Sequence, residues 1–260
     1  MAIFTENAIS VDESKCIGCS LCVDDCPNSL LYLESGKAHS RKSGCIECGH
    51  CFAVCPQHAI RMNNYDFDDI PVTPMTDIDS ERLLSAMKSR RSVRQFKNIP
   101  VEKEKLDQIL EAGRYAPTGS NAQNVSFTIL GSKQDEIEKE CVEMFRRGQK
   151  VASPFADIVR NFQLTDDFFF KGAPLVIVVS SRSEVNAGLA SSYMELMAES
   201  LGLGVLYSGF FVICARLNAK IKGLLALPKG DKVVSCMVIG YPNVKYQRIV
   251  PRRELKVKIL

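Results

Sequence analysis

The chain has 260 residues, of which 46% are hydrophobic and 24% charged, with 33 lysine and arginine residues against 30 aspartate and glutamate residues. This balance is typical of a globular protein and excludes a disordered or collagen-like chain. No apolar run approaches the roughly 18 residues of a membrane-spanning helix, and the first residues lack the basic and apolar regions of a signal peptide. We therefore expect a soluble cytoplasmic protein that does not contact a membrane.

The cysteines and the charges are unevenly distributed along the chain. Eight of the 11 cysteines lie between Cys16 and Cys55. Residues 1–62 carry seven acidic and five basic side chains, residues 63–77 carry four aspartates and no lysine or arginine, and the remaining chain carries 28 basic and 19 acidic side chains. We therefore predict a small domain at 1–62, an acidic linker at 63–78 and a basic domain at 79–260. Lysine and arginine never form a run of more than two residues, so an anionic cofactor explains the basic excess better than nucleic acid does.

The small domain contains one cysteine pattern twice. The spacing Cys-x2-Cys-x2-Cys-x3-Cys-Pro begins at Cys16 and again at Cys45. In this pattern three cysteines bind one 4Fe-4S cluster and the fourth binds the other cluster. A zinc ribbon leaves half of these cysteines unexplained, and a disulfide framework needs an oxidising compartment. We predict two 4Fe-4S clusters, the first on Cys16, Cys19, Cys22 and Cys55, and the second on Cys45, Cys48, Cys51 and Cys26. The segment at 8–62 resembles the bacterial two-cluster ferredoxins.

Apolar periodicity predicts the elements of the larger domain. Asp79 or Ser80 caps a helix that runs to Arg90, and a second helix follows Pro100 and stops at Ala116. Strands are predicted at 125–130, 174–181 and 233–241, and helices at about 133–148, 183–201 and 207–218. This mixture predicts an α+β domain in which helices cover a small central sheet.

A cluster of cationic side chains follows the first of these helices. Arg90, Arg91 and Arg94 place three guanidinium groups near the hydroxyl of Ser92, a set that suits a phosphate group. The same residues fit the basic end of a helix that interacts with the helix dipole, and alone they favour that interpretation. Three further segments favour the phosphate site over the helix end, namely APTGSNAQ, LGLGVLYSGF and the terminal GYP with PRR. Together with SRRSVRQF they resemble the nitroreductase family of FMN-dependent reductases over residues 79–260.

The resemblance implies a fold and a set of flavin contacts. The fold is a nitroreductase-like three-layer α/β/α domain in an interlocked homodimer. The residues implied at the FMN phosphate and one edge of the flavin are Arg90, Arg91, Ser92, Arg94, Arg252 and Arg253. Those implied to reach the flavin across the dimer interface are Pro117, Thr118, Gly119, Asn121 and Gln123. Those implied to place backbone amides near the reactive ring nitrogen are Tyr207, Ser208 and Gly209. Ser208 stands where many members carry an acidic residue.

Two other cofactor motifs are excluded. The segment from Gly202 resembles a dinucleotide fingerprint, but Tyr207 stands where the third glycine is required, and a helix precedes the segment. The chain has no Walker A loop for ATP.

Three further cysteines, which lie among apolar residues, are expected to fill the core, namely Cys141, Cys214 and Cys236. The run 168–170 of three phenylalanines fits either internal packing or a wall of the substrate pocket.

The two domains together indicate an electron-transfer enzyme. Iron–sulfur clusters carry single electrons, and a flavin converts them to hydride transfer. We expect an external donor, namely ferredoxin, flavodoxin or a transiently bound NAD(P)H, and a small electron-poor acceptor such as a nitroaromatic, a quinone or an activated alkene. The backbone N–H of Gly209 is expected to act at the reacting flavin. The alternatives are an electron-transfer module for a partner protein, a dedicated anaerobic reductase or dehydrogenase with incidental nitro reduction, and a redox sensor, for which no output domain is recognisable.

Overall fold

Residues 4–65, 70, 76–152 and 163–260 are described by the computed structural model. Most of the predicted linker, at 66–69 and 71–75, lies outside the described residues. The chain divides into two units: unit 1 comprises residues 1–77 and 118–123, and unit 2 comprises residues 78–117 and 124–260. No helix in these described ranges is long and apolar enough to cross a bilayer.

Unit 1 contains two copies of one strand–helix–strand arrangement. The first copy comprises β1 (Ile9–Val11), α1 (Leu21–Asp24) and β2 (Leu31–Glu34), and the second comprises β3 (Lys37–Ser40), α2 (His50–Val54) and β4 (Ile60–Met62). Strand β1 pairs antiparallel with β4, and β2 pairs antiparallel with β3. Each ladder therefore joins one copy to the other, and the repeated cysteine pattern corresponds to a repeated structure.

The cysteine-bearing loops of the two copies share unusual backbone angles. Left-handed φ values occur at Gly18 (68°) and Glu47 (52°), and again at Ser20 (64°) and Gly49 (76°). In both copies of the cysteine pattern, the first pair precedes the second cysteine and the second pair follows it. A Cβ atom on Gly18 would lie 2.2 Å from the carbonyl oxygen of Gly36, so only glycine fits there. The second copy places glutamate at the equivalent position.

Unit 2 alternates helices with the strands of one sheet. Its elements are α3 (Ser80–Ser89), α4 (Lys103–Arg114), β5 (Val125–Ile129), α5 (Gln134–Ala152), β6 (Leu175–Ser181), α6 (Glu184–Ser200), β7 (Gly204–Tyr207), α7 (Gly209–Leu217), α8 (Ala219–Leu225) and β8 (Lys232–Gly240). The predicted cap of α3 is confirmed, because the Asp79 side chain accepts the N–H of Arg82 at 2.7 Å. The hydroxyl of Ser183 caps α6 by accepting the N–H of Asn186 at 3.3 Å.

The sheet separates two hydrophobic cores. Its strands lie in the order β5-β6-β8-β7, and every neighbouring pair is antiparallel. Along β6, Val176 and Val178 pack in a core with α5, α7 and α8, whereas Ile177 and Val179 pack in a core with α4 and α6. This alternation is the period of two that a strand covered on both faces requires. The predicted three-layer α/β/α domain is confirmed.

Two elements differ from the expectation. The helix predicted at 207–218 begins at Gly209, and Tyr207 instead ends β7, which the sequence does not predict. Only Ser208 separates the residues of β7 from α7, and the strand has four residues, so periodicity alone does not show where the strand ends. Helix α8 is also unpredicted; it begins because the Asn218 side chain accepts the N–H groups of Lys220 and Ile221.

Candidate functional site

Two cavities in unit 1 are each lined by four cysteines. One has about 320 Å³ of empty volume, and its cysteines are Cys16, Cys19, Cys22 and Cys55. The other has about 360 Å³, and its cysteines are Cys26, Cys45, Cys48 and Cys51. The structure thus brings together the same two sets that the spacing predicts. The last cysteine of each run reaches the other set because the strand pairs join the two copies.

Backbone N–H groups donate to four of these sulfur atoms. The donor and acceptor pairs are Ala38 and Cys16 (3.4 Å), Leu30 and Cys26 (3.2 Å), Glu47 and Cys45 (3.3 Å), and Ala59 and Cys55 (3.3 Å). Hydrogen bonds to sulfur favour thiolates and help to set the reduction potential of a bound cluster. Both cavities therefore supply the groups that a four-thiolate iron–sulfur site needs.

The thiols need a cation to ionise. Burial raises the pKa of Cys51 to about 12, with a further contribution from Cys48 and Cys45 nearby, and burial also raises the pKa of Cys22. Iron supplies the positive charge that makes such buried thiolates stable. No group of three or more His, Cys, Asp or Glu side chains in the part of the chain that the structure describes is spaced to hold a single metal ion. In a 4Fe-4S cluster each thiolate instead binds its own iron atom.

In unit 2 the segment of cationic residues lies beside the end of β7. Ser92 forms a parallel bridge with Val205, and the N–H of Val93 donates to the carbonyl of Val205 at 3.0 Å. Gly204 permits this approach, because a Cβ atom there would lie 2.4 Å from a methyl group of Val93. The segment 90–94 and the turn at 207–209, which the resemblance assigns to one flavin, are therefore neighbours in the fold.

Two of the three guanidinium nitrogens of Arg91 lack a hydrogen-bond acceptor. Its Nη1 donates to the carbonyls of Lys88, at 3.1 Å, and of Arg90. Its Nε and Nη2 are buried and have no partner, and among the described residues no other buried side-chain nitrogen or oxygen is left in this state. A buried donor without an acceptor costs about 1–3 kcal/mol. An anion such as a phosphate group would satisfy both N–H groups.

Arg90 forms an ion pair that the sequence does not predict. Its Nη1 lies 2.6 Å from Oε1 of Glu195 on α6. The hydroxyl of Tyr207 donates to the Ser191 carbonyl at 2.9 Å and lies 3.5 Å from Oε2 of Glu195. Burial raises the pKa of the Glu195 carboxyl, although Arg90 acts in the opposite direction. The sequence contains one signal for this pair: Glu195 is a charged residue on the apolar face of α6, next to the buried Met194.

The turn between β7 and α7 offers a backbone donor at Gly209. Gly209 is the first residue of α7, so its N–H has no acceptor within the helix. Ser208 precedes it, and its N–H donates to the Cys236 carbonyl at 2.9 Å. A helix start of this kind suits an electron-rich atom of a bound group.

The other predicted flavin residues have different surroundings. Thr118–Gln123 belong to unit 1, where Nδ2 of Asn121 donates to the carbonyls of Ile46 (3.1 Å) and Glu47 (2.8 Å). Pro117 ends the preceding part of unit 2. Arg94, Arg252 and Arg253 are exposed, and within the described ranges neither terminal arginine forms a hydrogen bond or ion pair. The Tyr246 hydroxyl, which sequence reasoning missed, donates to the Ser92 carbonyl at 3.1 Å.

The remaining cysteines and phenylalanines lie in the core of unit 2. Cys141, Cys214 and Cys236 are buried, as predicted, and burial raises the pKa of Cys236. Phe169 and Phe170 are also buried, and Phe168 packs against the same core. Their position favours internal packing over the wall of a pocket.

Comparisons with known proteins agree with both units. Residues 87–241 match the model of the nitroreductase family, and residues 15–60 match the model of the 4Fe-4S dicluster domain. The chain is 32% identical over 174 residues to an FMN reductase (NAD(P)H) of Bacillus subtilis strain 168, which covers 62% of this chain and 66% of that protein. It is 38% identical over 97 residues to the adenylylsulfate reductase subunit beta of Megalodesulfovibrio gigas, which covers 34% of this chain and 58% of that protein.

A solved structure shares the fold of the larger unit. The structure of a nitroreductase with bound FMN from Desulfitobacterium hafniense DCB-2 aligns with a TM-score of 0.56 and 24% identity, over 71% of this chain and 100% of that chain. This chain spans less than two thirds of the length of the two relatives above. The nitroreductase model nevertheless covers more than half of its 260 residues. The chain therefore belongs to the nitroreductase family, and it carries a 4Fe-4S dicluster domain in residues 15–60.

Proposed function

We propose that the chain is an iron–sulfur flavoprotein oxidoreductase, which takes electrons from a donor through two 4Fe-4S clusters to FMN and reduces a small electron-poor organic compound. The proposal rests on one combination: two four-cysteine cavities in unit 1, and in unit 2 a guanidinium, that of Arg91, with two buried nitrogens that have no acceptor. The names of the B. subtilis relative, an FMN reductase, and of the FMN-bound D. hafniense protein support the flavin.

The cluster ligands in this proposal follow the two cavities. The first cluster is bound by Cys16, Cys19, Cys22 and Cys55, and the second by Cys26, Cys45, Cys48 and Cys51. Cys19 is exposed whereas Cys16 and Cys22 are buried. The exposed thiolate gives an external electron donor its shortest approach to the first cluster.

The flavin-binding residues in this proposal lie around β7. Arg91, with Ser92 and Arg94, binds the phosphate, and Arg90 is oriented by its ion pair with Glu195. Arg252 and Arg253, which are exposed, would supply two further cationic groups to the phosphate. Tyr207, Ser208 and Gly209 would lie at the flavin ring, and the N–H of Gly209 would donate to its reactive nitrogen. The N–H of Ser208 is used by the Cys236 carbonyl. FMN, when bound, converts single electrons into hydride transfer.

The proposed assembly is a homodimer in the cytoplasm. The exposed carboxyl-terminal segment includes Leu255, Val257 and Ile259, which alternate with lysines, so it presents an apolar edge that a second copy would cover. Across the interface Pro117, Thr118, Gly119, Asn121 and Gln123 approach the partner's flavin. The donor is ferredoxin, flavodoxin or NAD(P)H, and the acceptor is a nitroaromatic, a quinone or an activated alkene.

Anaerobic turnover tests the proposal. The protein is mixed with a reduced one-electron donor and with a nitroaromatic, a quinone or an activated alkene, and substrate loss is followed. We compare Cys48→Ala, which removes a proposed ligand, with Cys214→Ala, which removes a buried core cysteine. Turnover should fall at least about tenfold in the first variant alone, because one thiolate of the second cluster is lost. Full reduction of both cofactors without loss of any small molecule would instead favour an electron-transfer module for a partner protein.

A further inference from the structure

The segment Thr118–Gln123 departs from unit 2 between α4 and β5 and belongs to unit 1. Its backbone is left-handed at three residues that are not glycine, with φ of 51° at Ser120, 50° at Asn121 and 43° at Gln123. The N–H of Gln123 donates to the Thr118 hydroxyl at 3.0 Å, which closes the turn. Such angles cost of order 1 kcal/mol or more each and persist only where other contacts hold them.

The side chain of Asn121 connects this turn to the second cysteine loop of unit 1. Its Nδ2 donates to the carbonyl of Ile46 at 3.1 Å and to the carbonyl of Glu47 at 2.8 Å. Both acceptors are carbonyl oxygens, so the side-chain amide can satisfy them only through its NH2 group. Each of the two amide hydrogens has one acceptor. Asn121 therefore binds the loop between Cys45 and Cys48 at two consecutive residues.

That loop differs from its counterpart in the first copy. At the equivalent position the first copy has Gly18, which adopts a left-handed φ at little cost, whereas the second has Glu47 with φ of 52°. The N–H of Glu47 donates to Sγ of Cys45 at 3.3 Å. The Glu47 carboxylate accepts a hydrogen bond from Asn64. Glu47 therefore has three features: a left-handed φ, an N–H that donates to Cys45, and a carbonyl that accepts from Asn121.

We propose that Asn121 is a positioning residue for the second cluster: it holds the Ile46–Glu47 backbone so that the Glu47 N–H donates to Cys45, and it thereby raises the reduction potential of that cluster. A hydrogen bond to a cluster sulfur stabilises the more negative, reduced state. The inference rests on the proposed function only in taking Cys26, Cys45, Cys48 and Cys51 as the ligands of that cluster. It gives Asn121 a role in addition to the expected flavin contact, since both of its donor hydrogens go to carbonyls of this loop.

The test is an anaerobic redox titration of the full chain, in which the electron paramagnetic resonance of each reduced cluster is followed. Asn121→Asp keeps the shape and tolerance of a left-handed φ but removes the donors and adds a negative charge. Asn121→Gly keeps the φ without a side chain, so it shows the loss of the donors without that charge. Ser120→Gly is the matched control, because Ser120 is exposed in the same turn and also has a left-handed φ. Cys19→Ser and Cys48→Ser identify the signals of the first and the second cluster.

Both Asn121 variants should lower the midpoint potential of the second cluster by more than Ser120→Gly does, and leave that of the first cluster unchanged. Selective loss of about four irons from the second site, with the first site intact, would equally support the role. Unchanged potentials of both clusters in variants that keep about eight irons would overturn it. Wild-type protein with fewer than about eight irons would overturn the assignment of two clusters. A failure of the Asn121 role and a failure of the cluster assignment therefore give different results.

Discussion

At the scale of one residue, the two buried nitrogens of Arg91 that have no acceptor lead to a prediction about FMN binding. In Arg91→Gln the FMN dissociation constant should rise roughly ten- to a hundredfold, because charge-assisted hydrogen bonds contribute about 1.5–3 kcal/mol. Fluorescence quenching of free FMN by flavin-free protein measures this constant. Arg82→Gln on α3 is the control, since Arg82 is exposed and lies outside the proposed site. Equal FMN affinity of Arg91→Gln and wild type would remove Arg91 from the phosphate site.

The buried carboxyl of Glu138 leads to a second prediction, which concerns how the stability of the folded state depends on pH. Its Oε1 accepts the N–H groups of Phe169 (3.0 Å) and Phe170 (2.8 Å), and burial raises its pKa to about 7, with a further contribution from the carboxylates of Asp167 and Asp135. The unfolded chain ionises this carboxyl near its ordinary pKa of about 4.3. The folded state therefore loses stability, on the order of 1–3 kcal/mol, as the pH rises from about 4.3 to about 7.

The variant Glu138→Gln keeps both hydrogen bonds, because both use one oxygen atom. Its melting temperature should match that of wild type at pH 5 and exceed it at pH 8, by roughly 2–4 °C per kcal/mol. Glu104→Gln, at an exposed position of α4, is the control and should show no such pH dependence. The same difference between Glu138→Gln and wild type at both pH values would contradict the raised pKa.

At the scale of the element, the close approach of β7 to the segment 90–94 depends on Gly204. In Gly204→Ala the new Cβ would lie 2.4 Å from a methyl group of Val93 and 2.8 Å from its Cβ. Overpacking of this kind costs about 1–3 kcal/mol, and it should displace β7 and weaken FMN binding. Gly188→Ala is the control: this exposed glycine lies inside α6 with no atom within 4 Å of the new Cβ, so stability should rise by about 0.5–1 kcal/mol. A melting temperature of Gly204→Ala at or above that of wild type would contradict the account.

The elements also show how far the sequence predicts the molecule. The two cysteine sets, the α3 cap at Asp79 and the buried strand β6 are predictable, because each depends on a short pattern of neighbouring residues. Strand β7 is not, because it has only four residues and a single residue, Ser208, separates it from α7. The pair of Arg90 with Glu195 is also not predictable, since it joins residues 105 positions apart that only the packing of α6 brings together.

At the scale of the whole molecule, the core of unit 1 includes cluster ligands, whereas the cores of unit 2 are formed by its own side chains. In unit 1 the strands have three or four residues, and four cysteines belong to its core, namely Cys16, Cys22, Cys45 and Cys51. A unit this small needs its clusters to fold, whereas the sheet of unit 2 has its own two cores. Anaerobic removal of iron by a chelator should therefore abolish amide-exchange protection in unit 1 and preserve it in β6 and β8. Retained protection of β1 and β4 without iron would contradict this prediction.

The most direct test of the central claim is an anaerobic optical titration of freshly purified protein with a one-electron reductant, together with analysis of flavin, iron and sulfide. The account predicts about one FMN and about eight irons per chain, with flavin bleaching linked to the loss of cluster absorbance. Iron without flavin would contradict the reductase and indicate an electron carrier. Flavin without iron, in protein never exposed to air, would contradict the two four-cysteine cluster sites.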